Sequence, residues 1–130
     1  MIVVDASAVL ELLLGTPDGA RVAERIFAPG ETLHAPHLLD LEVAQVLRRY
    51  ALAGDLDPRR GAEALEDLSD LHLTRYPHDL LLPRIWELRR NLTAYDAAYV
   101  ALAEALAAPL LTRDTSLASV RTHRATVELL

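Results

Sequence analysis

The chain has no cysteine, no lysine, one phenylalanine, one tryptophan and no long uncharged apolar run. Without thiols, disulfide scaffolds, thiol nucleophiles, zinc fingers and iron–sulfur sites are excluded. No uncharged stretch approaches the ~18 residues that a membrane span needs. Trp86 and the four tyrosines are too few and too scattered for a base-stacking platform. The opening Met1-Ile2-Val3-Val4-Asp5 has no basic lead and carries an acid at position 5. A signal peptide is therefore not expected, and the cytoplasm is the expected location. What is present is a globular composition, with 52% apolar and 25% charged residues in a chain of 130, which argues against disorder. That length predicts one domain, residues 1–130, able to bury roughly two thirds of its unfolded surface.

Nineteen acids against thirteen bases give a net charge of −6. That sign argues against nucleic-acid binding through a basic surface. All thirteen bases are arginine, whose flat fork suits phosphate and carboxylate, although genome composition is the simpler source of an Arg-only chain. The informative question is where the acids sit.

Apolar runs alternate with helical stretches between regular turn signals. Ile2–Val4, Thr32–Ala35, Leu71–Tyr76, Leu110–Thr112 and Ala125–Leu129 are predicted strands. Helices are predicted over Ser7–Leu14, from Pro17 to about Phe27 with Thr16 as N-cap, and over Leu38–Ala53. Others are predicted from Pro58 to about Leu68, over Asp79–Arg90, over Thr93–Ala107, and briefly after Asp114. The long third helix has an apolar stripe of Leu39, Val43, Val46, Leu47 and Tyr50. This alternation predicts an α/β fold with a short central parallel sheet of four to five strands and helices on both faces. Such sheets bind ligands beyond the carboxyl ends of their strands, where strand order reverses.

Four acids fall at that rim. Asp5 follows the first strand, and Asp114 follows the fourth by two residues. Asp96 and Glu42 lie in the opening turns of their helices. Each has a structural reading too. Asp5 and Asp114 can cap helices, and Thr93 with Asp96 forms a near capping box. Glu42 lies about 80–90° from the centre of its helix's apolar stripe, at the border of the core, where a charge needs a partner. Two carboxylates ~5 Å apart at an effective dielectric of ~20 repel by roughly 3 kcal/mol. Protonation, arginine or a divalent cation must offset that cost. All-oxygen ligands suit Mg²⁺ or Mn²⁺, and such an ion can activate water and steady a phosphodiester's developing charge. A loaded site would attract the phosphate that the empty one repels.

Four segments in this order resemble the PIN-domain nucleases, and among them the VapC toxins of VapBC toxin–antitoxin pairs. They are Ile2-Val3-Val4-Asp5-Ala6-Ser7-Ala8, Ala35–Val43 followed by Val46-Leu47-Arg48-Arg49, Thr93–Glu104, and Leu110–Ala118. The resemblance runs over nearly the whole chain and implies a three-layer α/β/α PIN-like domain. It places the family's acidic quartet on Asp5, Glu42, Asp96 and Asp114, holding Mg²⁺ or Mn²⁺ for hydrolysis of RNA. Asp5 and Asp96 would be the firmest ligands. The family hydroxyls fall on Ser7 and Thr112, which would orient a water or a carboxylate. The one mild departure is Gln45, where asparagine is common. The resemblance also implies an antitoxin that covers the active-site groove with a basic residue among the acids, and a homodimer.

Arg113, Arg89 and Asn91 are candidate RNA contacts. Arg113 can equally pair with a local acid, and Arg89 and Arg90 can serve a helix C-terminus. Arg48-Arg49 reads as a solvated face and Asp40 as peripheral. His34 and His37 share no helix face across Pro36, so a histidine metal site is not expected. A haloacid-dehalogenase-type hydrolase is disfavoured, because Ser7 stands where a second Asp is needed and no lysine exists. A non-catalytic PIN-like module that binds RNA or protein is the remaining alternative.

Overall fold

The computed structural model describes residues 1–130. The strands are β1 (Ile2–Val4), β2 (Leu33–Pro36), β3 (Leu73–Tyr76), β4 (Leu110–Thr112) and β5 (Val127–Leu129). The helices are α1 (Ala6–Leu14), α2 (Pro17–Ile26), α3 (Leu38–Leu52), α4 (Pro58–Asp70), α5 (Leu82–Glu87), α6 (Ala94–Leu106) and α7 (Thr115–Ser119). All five strands are parallel, in the order β3-β2-β1-β4-β5. The chain builds outward from β1 to β3, then returns to place β4 on the other side of β1. Strand order therefore reverses between β1 and β4, and the crevice that open α/β sheets use for ligands lies there.

Helices α1 to α4 pack on one another at one face of the sheet, and α5 and α6 at the other. This is the three-layer α/β/α arrangement expected. The central strand β1 is apolar throughout, because both of its faces are covered: Ile2 and Val3 are wholly buried, as is Leu110 beside them on β4. Helix α6 is buried from Ala97 through Ala103. Its alanines let it lie close between the sheet and α5, and a helix apolar on every side belongs in a core.

Local chemistry explains most boundaries. Thr16 caps α2, with Pro17 in its first turn. Gly15 closes α1 in the left-handed region (φ 65°). Some details differ from expectation. The segment Asp79–Arg90 is a 3₁₀ turn (Asp79–Leu81) followed by the short α5, with Pro83 in its first turn. A proline amide cannot continue a preceding helix, so the two pieces stay distinct. Consequently Arg89 and Arg90 lie past a helix that stops at Glu87. Strand β3 begins at Leu73, because Leu71 still caps α4. Tyr50, expected in the apolar stripe of α3, is 41% exposed. No helix is long and apolar enough to cross a membrane.

Helices α1 and α2 touch at Gly19. A Cβ built there would lie 2.3 Å from the Glu11 carbonyl oxygen. Gly61, also helical, has only the Leu56 side chain at 3.4 Å. Gly19→Ala is therefore expected to destabilise the protein by about 2 kcal/mol through overpacking against backbone. Gly61→Ala should be neutral or stabilising by up to about 1 kcal/mol, since alanine is the better helix former. Urea denaturation of the two variants checks the contrast; equal effects would refute this reading of the α1–α2 contact.

Candidate active site

Asp5 leaves the end of β1 and is 6% exposed. Its Oδ1 accepts hydrogen bonds from the Ser7 hydroxyl (2.6 Å) and the Ala8 amide (3.1 Å). Its Oδ2 accepts from the Thr112 hydroxyl (2.5 Å). Both hydroxyls are in turn held by backbone of the β4–α7 turn. The Arg113 amide donates to Ser7 Oγ (3.0 Å) and the Asp114 amide to Thr112 Oγ1 (2.9 Å). Two amide–hydroxyl–carboxylate chains thus bridge the switch point and fix Asp5 relative to Asp114. Both hydroxyls thus donate to the Asp5 carboxylate.

The structural and chemical readings of the acids coincide. Asp5 caps α1, and Asp114 caps α7 by accepting at Oδ1 from the Ser116 amide (2.8 Å) and hydroxyl (2.6 Å). No protein donor reaches its Oδ2. Thr93 caps α6 by accepting from the Asp96 amide (3.1 Å). Glu42 is half-buried on α3, and its Oε1 accepts from the Tyr99 hydroxyl (2.5 Å).

Burial raises the carboxyls of Asp5, Glu42 and Asp96 above the ordinary range, and neighbouring acids add to it. Asp114 acts on Asp5 and Asp96, Asp5 acts on Glu42 and Asp96, and Asp96 acts on Glu42. Hydrogen bonds to Ser7, Thr112, Ala8 and Tyr99 offset part of this. No arginine pairs with any of the four, although arginines pair with acids elsewhere. The quartet is therefore concentrated negative charge without a protein counter-ion. No three acidic or histidine side chains stand ready at metal-binding spacing. The fit to a cation rests on donor chemistry: several carboxylates, all oxygen, unpaired, which suits a hard divalent ion.

The other candidates are distributed as follows. Arg113 pairs with Glu11 and with Asp18 (3.1 Å), the alternative foreseen for it. Arg89 stacks over Trp86 at 4.5 Å and donates to its carbonyl (3.0 Å). Asn91 is exposed in the segment leading into α6. Asp40 is taken by Arg75 (2.7 Å) and is peripheral. His34 is held between Thr32 and Tyr76 (2.8 and 2.7 Å). Beside the acids runs a groove of about 600 Å³, lined by Ser7, Glu42, Leu10, Leu41, Tyr50 and Tyr95 among others. Sequence reasoning missed Tyr99 and Glu11. The available signal was spacing: Tyr99 stands three residues after Asp96, and Glu11 four after Ser7, each on a shared helix face.

Known proteins share this parallel α/β/α architecture. Residues 2–122 match the PIN domain model. The chain belongs to the PIN-domain family. Within it, the chain is similar to VapC ribonucleases. It is 52% identical to Ribonuclease VapC9 of Mycobacterium tuberculosis, over 90% of this chain and 88% of that protein. It is 42% identical to Ribonuclease VapC12 of the same organism, over 99% and 98%. Among solved structures, PAE2754 from Pyrobaculum aerophilum superposes with a TM-score of 0.71 at 28% identity, over 97% of this chain and 81% of that one. VapBC2 from Rickettsia felis, bound to a promoter DNA fragment, gives 0.71 at 14% identity over 99% and 98%, a likeness of fold.

Raised carboxyls bind protons more tightly folded than unfolded. Their contribution to stability is therefore present at low pH and lost as pH rises through their raised values. Glu31, held down at about 2 by the N-terminal ammonium and Arg25, acts oppositely: its contribution is lost as pH falls through that value. In EDTA, Asp96→Asn is expected to be more stable than wild type at pH ~7.5, by on the order of 1 kcal/mol, with the gap closing toward pH ~4. Mn²⁺ should raise the melting temperature of wild type and leave Asp96→Asn unmoved. A less stable Asp96→Asn at pH ~7.5 would mean the quartet's charge is already compensated.

Proposed function

We propose that this chain is a metal-dependent endoribonuclease that acts as the toxin of a toxin–antitoxin pair. The observation that carries this reading is the unpaired quartet at the switch point, in a chain 52% identical to a protein named a VapC ribonuclease. Asp5, Glu42, Asp96 and Asp114 are the proposed ligands and catalytic carboxylates for Mg²⁺ or Mn²⁺. When bound, such an ion supplies Lewis-acid stabilisation of a phosphodiester and lowers the pKa of water. Asp5, held by three donors and with acceptor capacity left on Oδ2, is the rigid member. Oδ2 of Asp114 and Oε2 of Glu42, which no protein hydrogen bond occupies, remain free to bind or orient. Ser7 and Thr112 keep the Asp5 carboxylate from rotating.

Arg89 and Asn91, ahead of α6, and Arg113, beside Asp114, are the proposed contacts for RNA phosphates. Arg113 would exchange Glu11 and Asp18 for the substrate. The solved relative from Rickettsia felis is named as a VapBC assembly, which supports a cognate antitoxin for this chain as well. A basic side chain from such a partner would neutralise the quartet, and apolar side chains would fill the groove lined by Leu10, Leu41 and Tyr95. Leu80, Leu82 and Trp86 expose an apolar surface around α5 that suits a homodimer.

The test is incubation of purified protein with total RNA in Mg²⁺ or Mn²⁺, beside EDTA and Asp5→Asn controls. Discrete cuts that vanish in both controls are expected, and mapping the new ends gives the target. An absence of cuts together with no Mn²⁺-induced stabilisation would favour the non-catalytic binding module.

A further inference from the structure

Tyr99 is the buried polar group that the quartet's own chemistry leaves unexplained. It is 2% exposed in the middle of α6, the only large aromatic in a run otherwise made of alanine, valine and leucine. A phenol buried in a core must find a partner for its hydroxyl. Here the partner is Glu42 on α3, with Tyr99 Oη donating to Oε1 at 2.5 Å. One hydroxyl thus ties α6, which carries Asp96, to α3, which carries Glu42. These elements come from both layers that flank the sheet. No other side-chain hydrogen bond restrains Glu42, and no arginine pairs with it.

We propose that Tyr99 is a positioning residue: its hydroxyl pins Oε1 of Glu42, turns Oε2 toward the other acids, and sets the spacing of Glu42 from Asp5 and Asp96. A glutamate side chain has three rotatable bonds, so a single charge-assisted hydrogen bond at its tip removes most of its freedom. Asp5 needs no such help, having three donors on a short side chain. The inference rests on the ribonuclease reading for its kinetic test and on the geometry alone for its binding test.

The experiment compares wild type, Tyr99→Phe, Glu42→Gln and the double variant. Cleavage of a defined RNA in Mg²⁺ gives kcat and KM, and Mn²⁺ titration of the melting temperature gives metal affinity without activity. Tyr99→Phe keeps the ring, so cooperative melting is expected. Its kcat should fall about tenfold or more, as for loss of a hydrogen bond to a charged group, with KM within about twofold. On the Glu42→Gln background it should change neither kcat nor Mn²⁺ affinity further. Multiplying effects, or a Tyr99→Phe variant with wild-type kcat and Mn²⁺ affinity, would overturn the proposal. If Tyr99→Phe does not fold, Glu42→Asp decides. It keeps the charge but withdraws it one methylene from Tyr99, and wild-type kcat in that variant overturns the proposal. A wild type that binds Mn²⁺ but cuts no RNA refutes the ribonuclease reading alone, and the Mn²⁺ cycle then still tests Tyr99. A wild type that neither cuts nor binds Mn²⁺ overturns both.

Discussion

A carboxylate almost removed from water organises this molecule. Asp5 has lost most of its hydration, which is expensive for an ion, and three protein donors replace it. Two of these donors are hydroxyls held by amides from the turn after β4. Binding Asp5 therefore also fastens that turn, and with it Asp114 and Arg113, to the end of β1. The parallel pairing of β1 with β4 brings the donors within reach, and the hydrogen bonds lock the strand ends that the pairing brings together.

The remaining acids attach to that fixed point with decreasing rigidity. Asp114 is anchored by a helix cap at one oxygen. Glu42 is anchored by a single phenol reaching from the opposite layer. Asp96 sits in the first turn of α6 beside Thr93. All of the chain's established ion pairs lie elsewhere, so arginine compensates acids such as Glu31, Asp40 and Glu104 and leaves the quartet unpaired. This selective distribution leaves the four carboxyls without an arginine partner in a chain with a net charge of −6.

Much of this was legible in the linear chain because it depends on local rules. The β-branched Ile2–Val4 run, the Thr16-Pro17 start of α2, the Thr93 cap of α6 and the alternation of strands with helices each follow from short-range chemistry. The acids could be placed at one rim because strand ends and helix starts in a parallel sheet lie at one side. The misreadings have the same origin. Pro83 is plain in the sequence, yet whether it sits inside a helix or opens a new one depends on how Leu81 packs, since that residue is buried. Tyr50 fits the stripe of α3 by period, but the helix runs past the edge of the core there. Arg113 had two partners open to it in sequence, and only folding shows Glu11 and Asp18 at hand.

The sequence by itself determined the type of fold and the rim to which the four acids belong, because hydrophobic period, caps and turn residues act within a few positions. Tertiary structure alone decided which groups meet across long separations. Ser7 reaches Thr112 and Arg113, 105 and 106 residues away, and Glu42 reaches Tyr99, 57 residues away. No local preference encodes such meetings. They exist because β1 lies beside β4, and because α6 and α3 both pack against the strands at the centre of the sheet. The paired hydroxyls of Asp5 and the phenol of Glu42 are consequences of that packing.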